Sequence, residues 1–76
     1  MRNSRLRELL RNAPFQPFAL HLSDGTRFVV RHPEFVVLGE HHLVVTEPGV
    51  SASVPDRVAV CDLVHVTHVE FLDNAA

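Results

Sequence analysis

The chain has 76 residues, 46% hydrophobic and 21% charged, with a formal net charge of −2. That length holds one domain, and the composition excludes a disordered polymer. Cys61 is the only cysteine, which excludes an internal disulfide, and no run approaches the ~20 apolar residues of a membrane helix, so the sequence predicts a soluble, cytoplasmic protein with no membrane partner.

Ser4 is placed to cap a helix in which Leu6, Leu9 and Leu10 fall at i, i+3 and i+4, with arginines on the other faces. Asn12 and Pro14 end it, so residues 1–13 form an N-terminal segment with a helix of about two turns. A helix that short cannot stand alone, and its leucines must rest on the remaining fold. Arg7 and Arg11 lie one turn apart near the carbonyl end, where the helix dipole favours cations. Pro14-Phe15-Gln16-Pro17-Phe18 reads as an extended connector, because proline offers a ladder no donor, and Phe15 and Phe18 are its anchors.

From Phe18 the apolar period becomes two: Phe18, Leu20 and Leu22 alternate with Ala19, His21 and Ser23, giving a first strand over 18–23. Asp24-Gly25 is the signal of a tight primed hairpin turn into a second strand, 26–31. Pro33 interrupts that run and Glu34 to Leu38 resumes it, as one long strand bent near His32-Pro33. Gly39 to His42 is a turn, Leu43 to Thr46 a third strand, and residues 50–56 a loop or irregular edge. Arg57 to Cys61 is a fourth strand, Asp62-Leu63 a kink, Val66 to Leu72 a fifth strand, and 73–76 a frayed tail. The expected fold is mainly β: a short N-terminal α-helix followed over 14–72 by a small five-stranded, strongly bent antiparallel barrel of the SH3-like or Sm-like kind, whose closure removes sheet edges.

A helix at Leu6 to Arg11, a first strand ending in Asp24-Gly25, a long bent second strand and a tight turn at Asp62-Leu63 together resemble the order of elements in the Sm-like family, which includes a bacterial RNA chaperone. The resemblance implies a homo-oligomeric ring in which the fourth strand of one copy pairs with the fifth of the next, with RNA along the pore or rim. The lysine-histidine pair that such chaperones carry between the last strands is replaced here by Val60-Cys61-Asp62-Leu63, and an acid there repels phosphate. The runs Pro14 to Phe18, Ser23-Asp24-Gly25, His32-Pro33-Glu34 and Asp62 to Thr67 also resemble a family of small uncharacterised bacterial proteins, which implies no activity.

Six histidines, His21, His32, His41, His42, His65 and His68, are the unusual feature of the composition. Neighbours on a strand point to opposite faces, so His41 and His42 converge only in a turn and His65 and His68 only across a kink; neither is a zinc spacing, and no metal is expected. His68 and Glu70 share a strand face and are expected to pair, and a histidine-rich surface is a pH sensor in outline. Cys61 with His65 is the one nucleophile-and-base combination, without a third orienting group, and Ser51 and Ser53 lack the glycines of a nucleophile elbow. Gly25, Gly39 and Gly49 form no phosphate loop.

The expectation is therefore no enzyme and no cofactor. A chain this short buries only about 60–65% of its unfolded surface, and with no disulfide or metal the remaining remedy is self-association. The leading reading is a homo-oligomeric assembly or interaction module, open also to another protein, with Phe15, Phe18, Val58, Val60, Val69 and Phe71 as interface residues. The alternative is an Sm-like RNA binder whose basic arm, Arg2, Arg5, Arg7 and Arg11, meets phosphate; residues 12–76, with three arginines against eight acids, disfavour it.

Overall fold

The computed structural model of the chain describes residues 1–48 and 55–72, with Pro55 and Asp56 described by their backbone alone. Helix α1 (Asn3–Arg11) comes first, and six strands follow: β1 (Phe18–Leu22), β2 (Arg27–Val30), β3 (Val36–Leu38), β4 (His42–Pro48), β5 (Pro55–Asp62) and β6 (Val66–Phe71). Single 3₁₀ turns at Pro33–Phe35 and Leu63–His65 link β2 to β3 and β5 to β6. The strands form two antiparallel three-stranded sheets, ordered β2-β1-β6 and β3-β4-β5.

Six strands stand where five were expected, because the long second strand is two. Pro33 has no N–H to continue a ladder and opens a 3₁₀ turn, which passes the chain from one sheet into the other. The expected loop at 50–56 is also partly strand: Pro55 and Asp56 open β5, whereas 50–54 and the tail 73–76 lie outside the described residues. The first hairpin is looser than the predicted two-residue primed turn. Leu22 N–H donates to Thr26 O at 2.9 Å and Gly25 N–H to Leu22 O at 3.0 Å, leaving a three-residue loop, Ser23-Asp24-Gly25. Gly25, alone among the described residues, takes a positive φ, +89°, as the last loop residue of such a hairpin must, and Asp24 Oδ1 accepts from Thr26 N–H at 2.9 Å.

One apolar cluster holds both sheets and the helix: Leu6 and Leu9 of α1 pack with Phe18, Leu20, Phe28, Val30, Val36, Leu43, Val45, Leu63 and Val66. The helix begins one residue before Ser4, so Ser4 is no cap; residue Arg2 occupies the cap position without a side-chain bond. Tertiary anchors take over that task. The Met1 nitrogen donates to Leu63 O at 2.9 Å, and the Asn3 amide donates to Gly39 O.

Helix docking through Leu6 rather than capping through Ser4 makes a testable contrast. Leu6→Ala should cost about 2–5 kcal/mol of unfolding free energy, as large-to-small core changes do. Ser4→Ala, with no cap to lose, should stay within about 0.5 kcal/mol of the parent, both read from urea denaturation.

Candidate interaction surface

Each three-stranded sheet has two edges, and the structure treats them unequally. The hairpin phase of β1-β2 turns the Arg27 and Val29 backbone groups away from β1. Side chains meet them: Val29 N–H donates to Glu47 Oε2 at 3.2 Å, and Arg57 Nη1 donates to Arg27 O at 3.3 Å. Arg57 also binds Glu47 Oε1 at 3.1 Å and lies 4.1 Å over the Phe28 ring, a cation–π contact. The β2 edge is thus occupied, and one seam between the sheets is stapled.

Among the described residues nothing covers the edge of β5 in this way. Leu63 N–H donates to His41 O at 2.9 Å, and hydrogen-bonded pairs alternate along an antiparallel ladder. Residues 57, 59 and 61 therefore point their backbone groups at β4, and Val58, Val60 and Asp62 point theirs outward. Along this edge runs a cleft of about 570 Å³. Its apolar lining comes from Leu22, Phe28, Val58, Ala59, Val60 and Cys61, and its polar rim includes Ser23, Asp24, Arg57, Asp62 and His65.

The outer face of the same sheet is apolar across all three strands. Register sets Val37 opposite Val44 and Val44 opposite Val60, with Val58 opposite Thr46 in the next row. Val37, Val58 and Val60 are 66%, 59% and 70% exposed. Four neighbouring valines on a solvent face form the kind of patch that marks a contact surface.

β6, an edge of the other sheet, is likewise uncovered among the described residues. Leu72 N–H donates to Pro17 O at 3.1 Å, which puts the backbone groups of 68 and 70 toward β1 and those of Val69 and Phe71 outward. Val69 is half-buried and Phe71 is 45% exposed. The outer face of the β2-β1-β6 sheet, by contrast, is charged. His21 stands between Arg27 and His68 in register, and its ring stacks on that of His68 with centroids 4.2 Å apart and planes 9° from parallel. Glu70 Oε1 lies 2.9 Å from His21 Nε2 and 3.8 Å from Arg27. Glu70 therefore pairs across strands with His21, whereas the predicted partner, His68, stacks on His21 and bonds Thr67 Oγ1 at 3.1 Å.

Among the sequence-predicted residues, Phe18 is fully buried in the core and has no surface to offer an interface; its ring lies 5.8 Å from that of the half-buried Phe15. Val58, Val60 and Phe71 are exposed, as contact residues must be. All four arm arginines are exposed, but Arg7 Nη2 donates to Asn3 Oδ1 at 2.6 Å and Arg5 lies 3.6 Å from Glu8. His42 meets Asp62 at 2.7 Å rather than joining His41. Among the described residues no three His, Cys, Asp or Glu side chains form a metal-holding group. His65 Nδ1 bonds Ser23 Oγ at 3.2 Å, and burial pushes the Cys61 thiol above its ordinary pKa. Val37, Val44 and the Glu47–Arg57 staple went unseen in the sequence: Val36-Val37-Leu38 and Leu43-Val44-Val45 are unbroken apolar runs, in which alternation is hidden.

Two exposed carboxyls are depressed below their ordinary values of 3.8 and 4.5, Asp24 by the Thr26 hydrogen bonds and Glu70 by the His21 hydrogen bond and then the Arg27 charge. A group depressed in the folded state stabilises the fold above its unfolded value and loses that contribution as pH falls through the folded one. Thermal melts should therefore fall along an acid limb below about pH 4.5, and Asp24→Ala with Glu70→Gln should flatten that limb.

No known protein family, curated protein or solved structure matches the chain. Function is read from the geometry of these edges and faces.

Proposed function

We propose that this chain is a non-enzymatic assembly module that binds copies of itself, its two sheets curving into a small barrel of the SH3-like or Sm-like type. The observation that carries the reading is the pair of edges, β5 and β6, that no described residue covers. β5 and β6 each form one edge of their sheets, follow one another in the chain and both present apolar side chains, Val58 and Val60 on one and Val69 and Phe71 on the other. Exposed edges with such residues are a template for pairing unless charge or proline blunts them. An edge of one kind meeting an edge of the other is a head-to-tail contact, which repeats until it closes into a ring.

The non-enzymatic part rests on chemistry. A nucleophilic cysteine needs a lowered pKa, and burial moves Cys61 the opposite way. His65, its candidate base, is engaged with Ser23. The exposure of the arginines on α1 favours a second reading, an RNA contact on that helix. Its signature is an affinity for single-stranded RNA that falls steeply with salt and collapses when Arg2, Arg5, Arg7 and Arg11 are neutralised.

Val60→Lys separates assembly from folding. Position 60 is exposed within the chain, so the variant should keep its circular dichroism spectrum and a cooperative unfolding transition, with a melting temperature lowered only by the lost association. Sedimentation should show the parent as an oligomer and the variant as the 8.5 kDa monomer. A parent that sediments as a monomer at every accessible concentration would falsify the reading.

A further inference from the structure

Asp24 is the only aspartate or asparagine in the chain that is followed by glycine. With no Cβ at residue 25, its amide nitrogen has an open approach to Cγ of Asp24. Attack there forms an N–Cγ bond, and one carboxyl oxygen leaves as water with the amide proton and the carboxyl proton, which closes a five-membered succinimide. Water then reopens the ring on one of two sides. Cleavage at the side-chain carbonyl restores aspartate, and cleavage at the main-chain carbonyl leaves isoaspartate, in which the chain runs through Cβ and Cγ. Nothing is oxidised or reduced, and the product has the composition of the parent.

The tip is exposed, and a Cβ built on Gly25 would meet nothing within 4 Å, so neither water nor space restrains this reaction. Hydrogen bonds do. The nucleophile is tied down, since Gly25 N–H donates to Leu22 O at 3.0 Å. The electrophile is turned away, since Asp24 Oδ1 accepts from Thr26 N–H at 2.9 Å. The Thr26 bonds also hold the carboxyl below its ordinary pKa, in the ionised form that has no water to expel. Around them the loop is closed by Leu22 N–H donating to Thr26 O at 2.9 Å, and it is anchored to the turn before β6: Ser23 N–H donates to His65 O at 2.8 Å, and Ser23 Oγ lies 3.2 Å from His65 Nδ1.

We propose that Asp24-Gly25 is a site of spontaneous isomerisation that the folded hairpin holds closed, so that isoaspartate forms in chains whose tip has opened and keeps the tip open thereafter. The second half follows from the loop's length. Isoaspartate adds one main-chain carbon to a three-residue loop, whereas Leu20 and Phe28, paired across β1 and β2 and both in the core, fix the register that the loop must close. The extra carbon and the Leu22 to Thr26 closure are incompatible, which makes the change a one-way record of opening. The reaction is intramolecular and involves no second copy.

D24N puts the same gate on a faster reaction, because ammonia leaves in place of water and the product differs in mass. The amide oxygen keeps an acceptor for Thr26 N–H. At neutral pH the folded variant should deamidate at least about tenfold more slowly than the same chain unfolded in urea, as a reaction confined to a minor open population does, with peptide mass spectrometry placing the change at residue 24. Folded D24N that deamidates as fast as the unfolded chain would overturn the gate. The parent, its isoaspartate read by enzymatic methylation, should show the same order, and it decides the matter should circular dichroism find D24N unfolded. Isoaspartyl chains isolated from the urea incubation and returned to buffer should melt below the parent; equal melting temperatures would overturn the one-way step.

Discussion

Glu47 and Arg57 do for strand β2 what another strand would otherwise have to do. The chain leaves β2 through the 3₁₀ turn at Pro33 and enters the other sheet, so the Val29 N–H and the Arg27 carbonyl would face an open seam. Glu47 takes the first and Arg57 the second, the two bind one another, and the guanidinium roofs Phe28. Partly exposed, the ion pair is worth little as a salt bridge. Its weight lies in closing the β2 seam over a core of barely a dozen side chains. Both residues come from paired positions on β4 and β5, and among the described residues β5 has no ladder partner on its other side.

The two sheets then solve their outer faces in opposite ways. On β2-β1-β6 the solvent face carries His21, Arg27, His68 and Glu70, whose cross-strand contacts satisfy one another and repel an apolar neighbour. On β3-β4-β5 it carries Val37, Val44, Val58 and Val60, with the His42–Asp62 pair at one end. A chain of this length has one helix to spend as cover, and α1 spends it on the core, through Leu6 and Leu9. The valine face is what remains uncovered.

Much of this was legible in the sequence. The period-two run from Phe18, the turn at Ser23-Asp24-Gly25, the break at Pro33 and the kink at Asp62-Leu63 each name a local backbone constraint, and each falls where an element ends. What was not legible is register. The Pro14–Phe18 connector suggests Phe18 as a contact residue, yet its alternation with Leu20 places it on the core side. A shared strand face suggests a His68–Glu70 pair, whereas the fold brings His21 from β1 to stack on His68 and bond Glu70. Ser4 had the chemistry of a cap, but Asn3 and the Met1 nitrogen reach loops distant in sequence, and those contacts set where the helix begins. Local propensity locates the elements; the partners of a side chain depend on which strands the topology brings together.

That dependence bears on why edges, rather than faces, are the natural contacts of this chain. The outward N–H and C=O groups of β5 are bonded to water, so pairing them exchanges one set of hydrogen bonds for another at modest net gain, on the order of 1 kcal/mol each. They contribute direction and phase. The valines beside them contribute the apolar area, at roughly 25 cal/mol per Å² removed from water, but no direction. Neither suffices alone: four valines make too small a face for a specific contact, and a bare edge pairs with any strand. Val58 and Val60 belong to both, since each turns its backbone to the free edge and its side chain to the exposed face. β5 is therefore the one strand in which the preference for a partner and the preference for a register reside in the same residues.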